Sequence, residues 1–160
     1  MNRLALQNPA LDDADVWRPH VTVATVVSRD GRFLLVEETV RGRVVLNQPA
    51  GHLDPEETLQ QAAVRETLEE TGWTVELTGL LGVHQWRAPD GEEFLRFTFA
   101  AEALEHDPAR PLDDGILRAL WMTREEILAA AERLRSPMVL AGIDDWLSGR
   151  RLPLGAITTL

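Results

Sequence analysis

Cysteine, lysine and tyrosine are all missing from the 160 residues of this chain. Without cysteine, the chain has no disulfides, no thiolate metal ligands and no cysteine nucleophile. No run of about 18 apolar residues occurs, which predicts that the chain does not span a membrane. The segment from Met1 to Trp17 lacks the apolar stretch of a signal peptide, so we expect a cytoplasmic protein.

Positive charge is also scarce. Arginine supplies all 16 basic residues against 26 acidic ones, and the formal net charge is −10. This charge excludes a nucleic-acid polymer as partner, because binding the phosphate backbone needs a basic surface. The negative net charge is compatible with a small ligand that carries phosphate groups, provided that an arginine cluster or a bound divalent metal offsets the phosphate charge locally.

Hydrophobic patterning predicts an α/β domain. β-branched or alternating segments predict strands at residues 21–27, 33–36, 44–46, 74–87, 93–104 and 120–122. Helices are predicted at 58–71, from 124 to about 135, and from about 138 to 148, while 49–51 is expected to interrupt regular structure and 105–116 to form a loop. Helices between and after the strands indicate an α/β sandwich. The chain length predicts one domain over 18–160, with 1–17 as an N-terminal arm.

The helix at 58–71 has defined ends. A capping pattern at Thr58 competes with an earlier one at Asp54, and we prefer the later start. Gly72 follows the last helical residue and is expected to adopt the left-handed conformation that ends helices.

One face of this helix carries three carboxylates, from Glu66, Glu69 and Glu70. The opposite face carries Val64, Leu68, Thr67 and Thr71 and is predicted to pack on the sheet, with Val64 and Leu68 buried. Like charges at this spacing repel one another, so the arrangement favours a bound cation, and hard divalent cations prefer oxygen ligands. A solvated acidic face is the alternative, since runs of charge usually face water.

The residues from Gly51 to Trp73 resemble the signature of the Nudix hydrolase family. That signature is Gly, five residues, Glu, seven residues, and then Arg-Glu-apolar-any-Glu-Glu-any-Gly-apolar. Its fixed residues are present here as Gly51, Glu57, Arg65, Glu66, Glu69, Glu70 and Gly72. The one departure is Thr67, which stands where an aliphatic residue is usual and whose methyl group can still pack.

The resemblance implies a Nudix fold, with a mixed sheet between helices, and metal-dependent hydrolysis of phosphate anhydrides. It implies Mg²⁺ or Mn²⁺ held by Glu66, Glu69, Glu70 and the carbonyl group of Gly51. Glu57 and Arg65 are expected to hold the loop and the helix in register, and Glu69 is the candidate catalytic base. The metal would neutralise phosphate charge and lower the pKa of the attacking water.

A narrower resemblance covers about residues 18–155 and indicates one branch of the same family. It rests on segments such as Asn47-Gln48-Pro49-Ala50-Gly51-His52-Leu53, His84-Gln85-Trp86 and Phe94-Leu95-Arg96-Phe97. Phosphatases of that branch act on nucleoside tri- and diphosphates and on a pyrimidine diphosphate, and they release orthophosphate. The resemblance implies the same activity for this chain.

Two other functions stay open. An ADP-ribose-type pyrophosphatase carries a proline downstream of the signature, where Pro89 stands, but the phosphatase branch has the same proline. A non-catalytic nucleotide-binding regulatory domain belongs to a different class. Such domains usually lose signature carboxylates, whereas this chain keeps them.

Three residues outside the signature are candidate substrate-binding groups. Trp86 can stack on a base, Arg96 can bind a phosphate, and Asn47 lies just before the loop. A core tryptophan and a surface arginine are the alternatives. Glu37 or Glu38 is a further candidate to face the substrate, although strand alternation does not decide which. We expect a small nucleotide or organic diphosphate as substrate, and a monomer or homodimer.

Overall fold

The computed structural model describes residues 16–160, so most of the predicted arm at 1–17 lies outside the described residues. The strands are β1 (His20–Arg29), β2 (Arg32–Val40), β3 (Arg43–Asn47), β4 (Ala50–His52), β5 (Trp73–Arg87), β6 (Glu93–His106) and β7 (Ile116–Met122). The α-helices are α1 (Leu59–Thr71), α2 (Arg124–Ala129) and α3 (Met138–Leu147), with short 3-10 helices at Ala131–Arg133 and Leu154–Ala156. Over this described range, no helix is long and apolar enough to cross a membrane.

Strand β1 organises the sheet because it pairs with three other strands. It runs parallel to β6, with Val23 opposite Phe97, and antiparallel to the short β4, with Val23 opposite Gly51. Strand β5 extends the sheet beyond β6, and the end of β1 pairs with β2 across the Asp30-Gly31 turn. Strand β2 lies between β3 and β7. Parallel and antiparallel pairs therefore occur in one mixed sheet.

Helices cover both faces of this sheet. Successive residues of a strand point to opposite faces. Val23 and Phe99 belong to the apolar cluster that includes Ala62 of α1. Val26 lies three residues after Val23, and Ala100 lies one residue after Phe99, so both point to the other face of the sheet. There they belong to the apolar cluster that includes residues of α3. The predicted α/β/α sandwich is confirmed.

Helix α1 begins and ends as predicted, but its buried side matches the prediction only in part. Thr58 and Gln61 form a reciprocal capping box, and Gly72 takes the left-handed conformation at φ 71°. On the face predicted to pack on the sheet, Thr67 and Thr71 are buried. The prediction that Val64 and Leu68 are buried is wrong, because both are only half-buried. The buried residues of the helix are Ala62, Ala63, Glu66, Thr67, Glu70 and Thr71. Small alanines let the helix approach the sheet closely, and the two glutamates turn toward β4.

Two local predictions are wrong because tertiary hydrogen bonds override local sequence signals. Residues 49–51 were expected to interrupt regular structure, yet Ala50–His52 forms β4 because the edge of β1 supplies its pairing partners. The helix predicted from 124 to about 135 ends at Ala129. Beyond it the chain turns back to β3, where Arg135 N donates to Leu46 O at 2.8 Å.

Candidate active site

The carboxylate of Glu66 on helix α1 lies against Gly51 of strand β4, in the space that a Cβ atom would occupy. A Cβ atom on Gly51 would lie 2.1 Å from the carboxyl carbon of Glu66, whereas non-bonded carbons normally stay about 3.5–4.0 Å apart. Ala62, one turn before Glu66, is fully buried, and its small side chain lets the helix lie close to the sheet. Gly51 therefore allows the signature loop to rest directly on a carboxylate of the helix.

Arg65 connects this loop to the helix. Its Nε and Nη2 atoms donate to the two carboxylate oxygens of Glu57 at 3.0 and 2.6 Å, and Nη2 also donates to the His52 carbonyl at 3.1 Å. Its Nη1 donates to Glu66 and Glu69 at 2.8 and 3.0 Å. The bond to Glu57 is the main reason that the pKa of Arg65 rises above its usual range, and the same bond lowers the pKa of Glu57. Arg65 and Glu57 thus lie where residues that fix the loop were expected.

Glu70 is turned toward the backbone of β4. Its Oε2 accepts a hydrogen bond from Ala50 N at 2.9 Å, and the residue is 8% exposed. Burial, together with the negative charges of Glu66, Glu38 and Asp113, raises the pKa of Glu70 to about 8. A cation beside this carboxyl group would favour its ionised form, because an opposite charge lowers a carboxyl pKa.

Carboxylates from two parts of the chain converge beside the signature loop. Glu66, Glu69 and Asp113 each offer an oxygen atom, and these atoms lie within 4.8 Å of one another. Asp113 belongs to the loop between β6 and β7, and its backbone nitrogen donates to the Glu69 carbonyl at 3.1 Å. No sequence pattern marks Asp113, because it lies in an irregular loop far from the signature along the chain.

The residues present fit a divalent cation. Three carboxylates form an all-oxygen donor set, and Mg²⁺ commonly combines one or two carboxylates with substrate phosphates. Burial raises the pKa of Glu66, and the negative charges of Glu69 and Asp113 act in the same direction, while Arg65 opposes the shift. Of the predicted ligands, Glu66 and Glu69 both bind Arg65, Gly51 lies against the Glu66 carboxylate, and Glu70 accepts from Ala50 N. The complete ligand set stays a prediction.

A cleft of about 510 Å³ opens beside β4, on the face of the sheet that carries α3. All three predicted substrate-binding residues, Trp86, Arg96 and Asn47, line it, although they come from different strands. Gly51 and His52 of the signature loop line it as well. The structure therefore places the candidate substrate residues and the loop around one cavity.

A buried arginine that has no ionic partner among the described residues lies in this cleft. Arg96 is 5% exposed, and the ion pairs formed within residues 16–160 do not include it. Its Nη1 makes two long hydrogen bonds, to Asn47 Oδ1 at 3.4 Å and Gln48 Oε1 at 3.5 Å, and its Nε has no hydrogen-bond partner within the described part of the chain. Burial lowers the pKa of Arg96 to about 10. The surface-arginine alternative is wrong, and an acceptor or anion in the cleft would offset the cost of burying this charge.

Aromatic rings line another part of the cleft. Trp86 stacks on Phe94 with ring centroids 5.6 Å apart, and Phe94 stacks on His20 at 5.0 Å. The ring of His20 in turn contacts His52 through nitrogen atoms 3.0 Å apart. Trp86 is half-buried rather than a core residue. These rings offer a stacking surface to a flat ligand.

The two neighbouring glutamates of β2 have different surroundings. Glu37 accepts hydrogen bonds from Arg118 and Arg133, which are not part of the cleft lining. Glu38 lines the cleft and accepts a hydrogen bond from Asn47 Nδ2 at 3.2 Å. The pairing of β2 with β7 shifts register between the two residues, and such irregularities re-aim side chains. Of the two candidates, Glu38 is the one that faces the cleft.

Comparison with known proteins identifies the family. Residues 17–141 match the NUDIX domain. The chain belongs to the Nudix family. Phosphatase NudJ of Escherichia coli K12 is 49% identical over 142 residues, which is 89% of this chain and 92% of that protein. Phosphatase NudJ of Shigella flexneri matches to the same extent. A solved NUDIX hydrolase from Nitrosomonas europaea is 44% identical with a TM-score of 0.88, covering 89% of this chain and 98% of that one.

As a Nudix hydrolase, the protein acts on phosphoanhydride bonds of small molecules. Nudix hydrolases generally depend on a divalent metal, and the carboxylate cluster of this chain agrees with that dependence. More distant structures share the fold alone. One of them is a UDP-X diphosphatase with 16% identity and a TM-score of 0.69.

Proposed function

We propose that this Nudix hydrolase releases orthophosphate from nucleoside di- and triphosphates and from related organic diphosphates, with Mg²⁺ or Mn²⁺ as its cofactor. The observation that carries the proposal is the position of Gly51, which contacts the carboxylate of Glu66 and also lines the cleft that contains Arg96. A substrate in the cleft can therefore extend its phosphates past β4 toward the carboxylates. The relatives named Phosphatase NudJ support the same reaction.

The carboxylates supply the metal site in this proposal. Its ligands are Glu66, Glu69, Glu70 and the Gly51 carbonyl, with Asp113 as a further one. The metal, when bound, neutralises phosphate charge and lowers the pKa of water. Glu69 is proposed to accept the proton of the attacking water, because its side chain is 29% exposed against 12% for Glu66. Water oxygen bonds to the terminal phosphorus as the bridging P–O bond breaks, which gives orthophosphate and the shortened nucleotide.

Arg65 and Glu57 are proposed as positioning residues. Arg65 donates to the loop and to two carboxylates of α1, and Glu57 holds its guanidinium group through two hydrogen bonds. Such forked contacts fix both distance and orientation. Loss of either residue would therefore displace the carboxylates rather than remove a reacting group.

The cleft is proposed to hold the organic part of the substrate. Its volume of about 510 Å³ falls in the range of about 300–1,000 Å³ typical of small-molecule sites. Trp86 provides a stacking surface, while Arg96 and Asn47 provide polar contacts. The net charge of −10 disfavours a nucleic-acid polymer. We propose that residues 18–160 act as one domain, in a cytoplasmic monomer or homodimer.

Two other functions predict different products. An ADP-ribose-type pyrophosphatase would form a nucleoside monophosphate and a sugar phosphate without orthophosphate, and a solved ADP-ribose pyrophosphatase shares only the fold at 15% identity. A regulatory domain would bind nucleotide without turnover. The presence of Glu66, Glu69 and Glu70 around the signature loop disfavours this second alternative.

Product analysis tests the proposal. Purified protein is incubated with ADP, ATP, ADP-ribose and a pyrimidine diphosphate in Mg²⁺ or Mn²⁺, and both products are identified. We expect orthophosphate and AMP from ADP, and a rate lower by about 10²-fold or more in a Glu69→Gln preparation, which controls for contaminating phosphatases. Cleavage of ADP-ribose alone, without orthophosphate, would replace the proposal with the pyrophosphatase alternative. Tight binding without turnover would indicate the regulatory one.

A further inference from the structure

The carboxylate of Glu38 faces a cleft that we propose receives a polyanion. Within residues 16–160 its only hydrogen-bond partner is the amide of Asn47, at 3.2 Å, and it forms no ion pair. Its neighbour Glu37, by contrast, is neutralised by two arginines. A carboxylate near phosphates weakens binding unless a donor meets it, because like charges repel. A ligand that offers Glu38 a hydrogen-bond donor should therefore bind better than one that offers it an acceptor.

Asn47 fixes what the cleft presents to a ligand. The residue is 6% exposed, its Nδ2 donates to Glu38, and its Oδ1 accepts from Arg96 Nη1. Glu38 at one end and Arg96 at the other thus fix the orientation of the Asn47 side-chain amide. Glu38 can only accept hydrogen bonds when ionised, and Arg96 can only donate them. The cleft therefore presents an acceptor and a donor side by side, with Asn47 between them.

Trp86 adds a shape requirement to this pair. It lines the same cleft and stacks on Phe94 with an interplanar angle of 28°. A flat heterocycle stacked there can direct its polar edge toward Glu38 and Arg96. The matching edge has an exocyclic amino group next to a ring atom that accepts a hydrogen bond.

We infer that Glu38 is a specificity residue that selects substrates carrying an amino-substituted heterocycle; this inference rests on the proposed function. Cytosine and adenine combine an amino group with a neighbouring ring-nitrogen acceptor, whereas uracil and hypoxanthine place a keto oxygen where the amino group would be and carry no amino group. A keto oxygen would face the carboxylate of Glu38, and neither group can donate a hydrogen bond to the other. The neighbouring ring N–H would face Arg96, and neither group can accept one. A site that leaves buried polar groups unpaired in this way discriminates strongly.

Paired nucleotides and a Glu38→Gln variant test the inference. We expect wild-type kcat/KM to be about tenfold higher for CTP than for UTP, and likewise for ATP over ITP. The glutamine amide can rotate to donate to a keto oxygen, so the variant should reduce each ratio to about one. Glu37→Gln is the matched control, because it removes the neighbouring charge outside the cleft and should keep the wild-type ratios.

Equilibrium binding separates this inference from the proposed reaction. Calorimetric titration with CMP and UMP in Mg²⁺ requires no turnover, and it should show the same preference and the same loss in Glu38→Gln. Equal wild-type affinities for CMP and UMP would overturn the inference even if orthophosphate is released. A uniform loss of turnover for all four nucleotides in Glu38→Gln, with unchanged ratios, would also overturn it and assign Glu38 to the metal or the chemistry. Selective binding without orthophosphate release would instead contradict only the proposed function.

Discussion

The hydroxyl groups of Thr25 and Thr67 lie 2.8 Å apart in a fully buried contact between β1 and α1. Thr67 donates its single hydroxyl proton to the Ala63 carbonyl at 2.7 Å, so Thr25 is the donor between the two threonines. The Nudix signature usually has an aliphatic residue at the position of Thr67. In this chain a matched pair of hydroxyl groups replaces the apolar contact.

Replacing Thr67 should lower the free energy of unfolding more than replacing Thr25. Thr67→Val leaves the Thr25 hydroxyl buried without an acceptor, and we expect it to lower the free energy of unfolding by about 1–3 kcal/mol. Thr25→Val should cost less, because Thr67 keeps its bond to Ala63. The double variant should approach wild type, because neither hydroxyl is then left unpaired. Urea unfolding of the four proteins measures this, and a double variant with the summed cost of both singles would contradict it.

The ends of α1 were predictable from sequence, and its buried side only in part. Thr58 and Gly72 act through hydrogen bonds within a few residues, so local patterns reveal them. Part of the buried side was misassigned, because apolar periodicity favours Val64 and cannot anticipate that Glu70 finds a backbone donor at Ala50 N. A buried carboxyl group is tolerated here because its partner comes from another strand.

The sequence predicts the part of the candidate site that lies on helix α1, but not the residues that other elements contribute. Glu66 and Glu69 share a helix, and helical geometry sets their separation. Asp113 joins them through a loop contact that no periodic pattern encodes. Glu38 could not be distinguished from Glu37 because the choice depends on a register shift between β2 and β7.

Gly51→Ala should nearly abolish activity. The new Cβ would lie 2.1 Å from the Glu66 carboxyl carbon, so either β4 or the carboxylate must move. A displacement of about 1 Å in a catalytic site can lower turnover by about 10²-fold, and we expect a loss of at least that size in kcat/KM. Gly155→Ala is the matched control, because its Cβ would meet no atom within 4 Å among the described residues. A Gly51→Ala enzyme with wild-type turnover would show that the close contact is not required.

Glu69→Gln and Glu70→Gln should each lower kcat/KM by about 10²-fold or more under limiting Mg²⁺. Glutamine nearly preserves shape but removes a charge that is proposed to hold the metal, which resembles the loss of a strong electrostatic stabiliser. Direct Mn²⁺ titration should show weaker binding in both variants. Glu105→Gln, at an exposed position of β6, is the control. Near-normal turnover and Mn²⁺ affinity in both variants would contradict the ligand assignment.

Glu37 should contribute to stability at neutral pH and lose that contribution in acid. Hydrogen bonds from Arg118 and then Arg133 lower its pKa from the ordinary 4.5. A carboxylate with a lowered pKa in the folded state stabilises the protein above its unfolded pKa, and protonation removes this effect as the pH falls through the lower, folded value. The arginine side chains are 64% and 48% exposed, so solvent screening limits each pair to about 0.2–1 kcal/mol.

Urea unfolding of wild type and Glu37→Gln across pH measures this contribution. The difference in unfolding free energy should be largest near pH 7 and should shrink below the ordinary pKa of 4.5. Added salt at pH 7 should also reduce it, because salt screens exposed charges. A difference that stays constant with pH would mean that packing of Glu37, rather than its charge, stabilises the protein.

Trp86→Ala should weaken the binding of several nucleotides alike. Trp86 lines the cleft and is held by its stack on Phe94, and base–aromatic stacking contributes about 1–3 kcal/mol, largely independent of the base. We therefore expect similar losses of affinity for CMP and AMP, with a smaller loss in Trp86→Phe, which keeps an aromatic ring. Val83→Ala, at an exposed position on the same strand, should leave both affinities unchanged. Unaltered affinities in Trp86→Ala, together with a lower unfolding free energy, would show that Trp86 supports the fold and not the substrate.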